Sequence, residues 1–104
     1  MKRGEVWWVE FPKPVGRRPA VLVSRNEAYR IRTAITVVPL TQTVRDIPTE
    51  VPLGPVEGVP KKSVANADNV TTVAKARLVQ HMATLSTVKV AALERAIKFA
   101  LDLP

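Results

Sequence analysis

Cysteine is missing from this 104-residue chain, which removes disulfides, thiolate nucleophiles and thiolate metal sites together. Missing too is any apolar run near the roughly 20 residues that a membrane-crossing helix needs. The opening MKRGEVWWVEF has two positive residues but neither a long apolar stretch nor a small-residue cleavage site. It does not read as a signal peptide. These absences suit a cytoplasmic protein. No His/Cys/Asp/Glu cluster has metal-ligand spacing, so neither a metal nor another cofactor is expected. Acidic residues are scarce: nine Asp and Glu stand against sixteen Lys and Arg, for a net charge of +7. Eight basic and three acidic residues fall within residues 1–32, so the excess begins early. Such an excess attracts polyanions: nucleic acid, an acidic protein or an anionic membrane surface. Interspersed acids and the lack of a basic amphipathic helix argue against the membrane.

What is present suits one globular domain over residues 1–104, with 46% hydrophobic and 24% charged residues. GEVWWVEF alternates and is rich in Val and aromatics, which predicts a strand. Pro12, Pro14 and Gly16 then break the pairing. RPAVLVS predicts a second strand, so apolar that both faces should be buried, and RNEAYRIR one or two helical turns. TAITVVPLT predicts a third strand, with Pro39 suggesting an edge or a bulge. A polar, Pro- and Gly-punctuated stretch runs from Gln42 to Lys62, with a short strand in PTEVPL. KSVANADNVTTV predicts two short strands meeting at a turn around Asn66 to Asn69. LVQHMATL reads as a further strand. In STVKVAALERAIKFALDL, residues Val90, Leu93, Ile97 and Leu101 form one helical stripe. Ser86 is the expected cap and Glu94–Lys98 an expected pair. Many short strands and one closing helix suggest a strongly bent sheet or partly closed barrel covered by that helix.

RGEVWWVEF, GRRPAVLVS, ITVVPLT, VANADNVTTV followed by ARL, and the closing amphipathic helix occur in that order. Together they resemble the MazF/PemK-like toxins of bacterial toxin–antitoxin systems, over nearly the whole chain. The resemblance implies a mainly β fold with a C-terminal α-helix, an SH3-like small barrel of the MazF/CcdB/Kid type. It implies a homodimer, a metal-independent endoribonuclease that cuts messenger RNA at short sequences, and an antitoxin whose acidic segment blocks the RNA groove. Arg18 stands at the family's catalytic arginine and Thr41 at the threonine that ends the third strand. Asp68 and Asn69 match an acidic residue followed by an amide that shapes the RNA groove. Where some relatives carry an arginine two positions before the acidic residue, this chain has Asn66.

Cutting RNA without a metal uses its own 2′-hydroxyl, which attacks the adjacent phosphorus and leaves a 2′,3′-cyclic phosphate and a 5′-hydroxyl. A planar guanidinium matches phosphate oxygens, and a threonine hydroxyl adds a directional donor. Pro19 and the strand behind it would hold Arg18 at a fixed angle, as stabilisation of developing charge requires. An arginine titrates above about 12 and is a poor general base. Arg18 is therefore the expected phosphate clamp and proton donor, with Asp68 a base or an orienting group. Arg17, Asn66, Asn69, Thr72, Lys75 and Arg77 are the expected RNA contacts. Arg25, Arg30, Arg32, Lys61 and Lys62 either follow the RNA backbone or are scattered solvated charge. His81 is the only histidine, which excludes a two-histidine mechanism and leaves it a structural or surface role. Trp7 and Trp8 should point to opposite faces, one filling the core. The other would meet a base, a second subunit or an antitoxin. Two alternatives stay open: a non-cleaving toxin that binds DNA gyrase, and a noncatalytic RNA-binding module. The gyrase poisons depend on a tryptophan near the C-terminus, where this chain reads FALDLP.

Overall fold

In the computed structural model, which describes residues 1–104, nine elements follow one another. They are β1 (Glu5–Glu10), β2 (Arg17–Leu22), α1 (Ala28–Ile31), β3 (Ala34–Thr41), β4 (Glu50–Leu53), β5 (Ser63–Asn66), β6 (Thr71–Ala74), β7 (Leu78–Thr84) and α2 (Thr87–Ala100). Short 3₁₀ turns lie at Pro55–Glu57, Ala67–Asn69 and Lys75–Arg77. The strands pair antiparallel in the order β4-β5-β3-β2-β1-β7, and β6 pairs with β3. No pairing joins β4 to β7, so the sheet bends without closing.

β3 organises this arrangement by changing partners. Its first half, Ala34 to Val37, pairs with β6, and its last residues, Leu40 and Thr41, pair with β5. Pro39 stands at the change. It lies in a central strand rather than at the edge or bulge that its sequence context suggests. The reason is in the ladder. Val23 N–H donates to Thr36 O at 3.0 Å, so alternate pairs of the β2–β3 ladder are the bonded ones and Ala20–Pro39 is not. The Pro39 nitrogen therefore faces the gap between β6 and β5, where no donor is needed.

The two-residue period of the strands sorts the core into two clusters. On β2, Val21 joins the larger cluster while Ala20 and Leu22 join the smaller. On β3, Val38 and Leu40 go one way, Ile35 and Val37 the other. The nearly unbroken apolar run of β2 is thus buried on both faces, as expected. α2 covers the larger cluster through Leu93 and Ala96, and truncating a buried leucine such as Leu93 to alanine costs about 2–5 kcal/mol. The predicted stripe holds for Val90, Leu93 and Ile97, but Leu101 is exposed because α2 ends before it. Ser86 caps the helix as predicted, its hydroxyl accepting from Lys89 N–H at 3.2 Å. Glu94 does not pair with Lys98; it takes the Arg3 guanidinium at 3.0 Å, tying the N-terminal segment to α2. Gly4 permits that approach, because a Cβ there would sit 2.9 Å from Val90 Cγ2. Neither tryptophan fills the core: both are half-buried, Trp7 at the margin of the smaller cluster.

Candidate active site

The register of three strands assembles the site. Across β1 and β2, Trp8 faces Pro19, Val9 faces Arg18 and Glu10 faces Arg17. Across β2 and β3, Ala20 faces Pro39. That is the last pair of the ladder, and Arg18 and Thr41 lie two residues beyond it on their strands. A cleft of about 480 Å³ opens at this end of the sheet. Its apolar lining is Trp8, Pro19, Leu40, Val59 and Pro60, and its polar lining is Arg17, Arg18, Thr41, Gln42, Thr43 and Lys61. Three cations and no carboxylate line it.

The polar groups are not equally free. Arg17 donates from Nε to Glu10 Oε1 at 2.8 Å, and its Nη2 lies 2.6 Å from the same oxygen. Arg18 makes no ion pair within the chain, and its guanidinium is open to a ligand. Thr41 Oγ1 accepts from Thr43 N–H at 3.2 Å, which leaves the hydroxyl hydrogen free to donate. A guanidinium and a hydroxyl so placed can bind one phosphate from two directions and neutralise charge that grows on its oxygens. The lysine arrives from a distant segment. Val59, only 2% exposed, anchors that segment, and Ser63 Oγ–H donates to Lys61 O at 3.0 Å.

Asp68 is elsewhere. Asn66, 2% exposed, caps the Ala67–Asn69 turn by accepting from Asp68 N–H at 2.9 Å. Ala67 is buried in the larger cluster, and the Asp68 carboxylate accepts from Thr49 Oγ–H at 2.9 Å. Asp68 makes no ion pair with Arg18 within this chain, and none of Asn66, Asp68 and Asn69 lines the cleft. Asn66 is buried because its side chain shapes the turn, where its amide oxygen is engaged. Asn69 is exposed.

The remaining candidates lie toward the far end of β3. Seven strand steps, about 23 Å, separate Ala34 from Thr41. Thr72 pairs with Thr36, their hydroxyls 3.4 Å apart. Lys75 Nζ donates to Tyr29 O at 2.8 Å, in a second recess of about 400 Å³ that also holds Met1, Asn26 and Arg30. Burial pushes the Tyr29 phenol up to about 12. It stays protonated, donates to Ser24 O at 3.0 Å, and serves no base function. Arg77 is exposed in the last 3₁₀ turn. His81 is exposed on β7, edge-on to Trp7 and 3.2 Å from Thr84 Oγ1, which fits its surface reading. Sequence reasoning missed Gln42 and Thr43 as cleft residues and Glu10 as the partner of Arg17. Only the Glu10–Arg17 pairing had a local signal, the short turn between two strands.

Comparison with known proteins places this geometry. The family model for the "PemK-like, MazF-like toxin of type II toxin-antitoxin system" matches residues 2–101. The probable endoribonuclease MazF5 of Mycobacterium tuberculosis is 40% identical over 102 residues, covering 96% of this chain and 92% of its own. Endoribonuclease MazF9 of the same organism is 33% identical over 115 residues, covering 99% and 98%. Among solved structures, the Mycobacterium tuberculosis toxin MazF-mt6 superposes with a TM-score of 0.88 at 31% identity, over 96% of this chain and 98% of that one. A mycobacterial endoribonuclease solved in complex with its cognate antitoxin gives 0.88 at 32% identity, over 100% and 97%. With residues 2–101 matched and the fold shared, this chain belongs to the PemK-like, MazF-like toxins of type II toxin–antitoxin systems.

Proposed function

We propose that this protein is an endoribonuclease toxin that cleaves single-stranded RNA, messenger RNA foremost, at short sequences through attack by the 2′-hydroxyl. The carrying observation is the pairing of an unengaged Arg18 with the Thr41 hydroxyl in one carboxylate-free cleft. Arg18 clamps the scissile phosphate and neutralises the charge that develops as phosphorus becomes five-coordinate. Thr41 donates to the same group. Fixed donors of this kind contribute roughly 3–4 kcal/mol each to lowering the barrier, and alignment of the 2′-oxygen with the leaving 5′-oxygen contributes further. Arg17 and Lys61 follow the flanking backbone, with Arg77 and Asn69 further along the strand's path. Trp8 and Pro60 supply the apolar surface on which a base rests.

The partners follow from charge and kinship. The net charge of +7 suits RNA and also an acidic antitoxin that occupies the same cleft. A mycobacterial relative has been solved with its cognate antitoxin. The working form is a homodimer in the cytoplasm. Incubating the pure protein with an unstructured RNA in EDTA and mapping the ends tests the reading. Fragments ending in 2′,3′-cyclic phosphate and beginning with 5′-hydroxyl are expected, and Arg18→Ala should form them about 10³-fold more slowly. RNA that is bound but never cut would leave a noncatalytic binding module.

A further inference from the structure

Arg17 and Arg18 are neighbours in the chain and line one cleft, yet only Arg17 is tied down. The tie is Glu10, its direct partner in the β1–β2 register. The connection between the two strands is itself pinned, Phe11 N–H donating to Gly16 O at 3.0 Å. A guanidinium carries five N–H donors. Arg17 turns Nε–H and one Nη2–H toward a single oxygen of Glu10. Both N–H groups of Nη1 and the second of Nη2 remain unengaged. That free edge presents two parallel donors, the arrangement that a phosphate accepts in bidentate fashion.

Stability does not explain the pair. The Arg17 and Glu10 side chains are 56% and 41% exposed, and ion pairs that exposed contribute little to folding. A carboxylate beside a cleft for RNA would also repel the ligand. The geometry points to Glu10 as a positioning residue: it holds Arg17 so that the guanidinium's terminal edge meets the phosphate next to the one on Arg18. The division of labour is then physical. The tethered arginine fixes the register of the RNA backbone before reaction, and the untethered one follows the scissile phosphate as its geometry changes. This assignment rests on RNA as the ligand of the cleft.

The sign of one effect tests it. Positioning and plain charge repulsion make opposite predictions for Glu10→Ala. The probe is a short oligoribonucleotide, of a sequence the wild-type protein cuts, with 2′-deoxy at the scissile nucleotide so that it binds without reacting. For positioning, Glu10→Ala weakens binding about 10-fold despite removing a negative charge, close to the loss in Arg17→Ala. The Glu10→Ala/Arg17→Ala double variant is no weaker than Arg17→Ala alone, and Glu10→Gln, which keeps an acceptor oxygen, restores most of the loss. The slope of log Kd against log salt falls by roughly 0.7 in both single variants, one phosphate contact on a single strand. On cleavable RNA, KM rises while kcat stays within about twofold. Tighter binding by Glu10→Ala, a steeper salt slope, or losses that multiply in the double variant would overturn the assignment. If the wild-type protein binds RNA but cuts none, the cleavage reading falls, and the same series measured on an unmodified oligoribonucleotide that it binds still decides the role of Glu10.

Discussion

The cleft around Arg18 and the turn around Asp68 use the same kinds of polar residue to opposite ends. In the turn, groups satisfy one another: Asn66 accepts from Asp68 N–H and Asp68 accepts from Thr49. In the cleft, Arg18 has no ion-pair partner and Thr41 keeps its hydroxyl hydrogen free. Groups already satisfied stabilise a fold, while unsatisfied groups in a concave, solvent-open place are available to a ligand. The contrast separates two sets of residues that look equally polar in the sequence. It also says how substitutions in the two regions must differ.

The largest effect is expected at Arg18. Arg18→Ala should lower kcat about 10³-fold, the upper range for loss of one fixed donor. Its thermal unfolding midpoint should stay close to wild type, because no ion pair within the chain is lost. A large fall in stability would break the comparison from the cleft side. Asn66→Ala should do the reverse. Leaving the turn without its cap and a backbone amide without its partner should cost about 1–3 kcal/mol in urea unfolding. The kcat of the folded fraction should stay within about threefold of wild type. Thr41→Val comes next, with a loss of roughly 10–100-fold in kcat and little change in KM. Valine keeps the shape and strand preference of threonine but cannot donate.

These pairs also show what was legible in the residues and what was not. Strand positions were legible because alternation and β-branched residues report burial directly, and β2 lies within a residue or two of where RPAVLVS placed it. Arg18 and Thr41 were singled out through the motif, and the β2–β3 pairing explains how residues 23 positions apart come to line one cleft. The orientation of Asp68 was not legible because it is set by Asn66, two positions before it, and by Thr49, which is 19 positions away. The hold on Lys75 was hidden for a similar reason, since the Tyr29 carbonyl that takes its ammonium is 46 positions distant. Composition counts such a lysine as free charge; only tertiary structure shows that one of its ammonium hydrogens is already given to the backbone. Pro39 teaches the same lesson for the backbone, because whether its missing N–H matters depends on which strand lies beside it.

The smallest expected effect extends the comparison to acid. Glu5 belongs with the satisfied groups: it accepts from Trp7 Nε1–H at 2.9 Å and from Lys2 N–H at 3.1 Å. Burial by itself would raise its carboxyl. The bonds from Trp7 and Lys2, with the charges of the N-terminus and His81, outweigh that and hold it below its ordinary 4.5. A carboxyl whose folded value lies below its unfolded one stabilises the fold fully above the unfolded value. That contribution is lost as the pH falls through the folded value. Wild type should therefore lose urea resistance as the pH drops below about 4.5, and Glu5→Gln should flatten part of that fall. Trp7→Phe, which removes the indole donor, should raise the Glu5 titration midpoint read by carboxyl NMR. Arg18→Ala should leave the acid limb as it is, because its guanidinium takes part in no such network. Should Arg18→Ala shift that limb as much as Glu5→Gln does, the cleft would be coupled to the fold, and the division between satisfied and available groups would not hold.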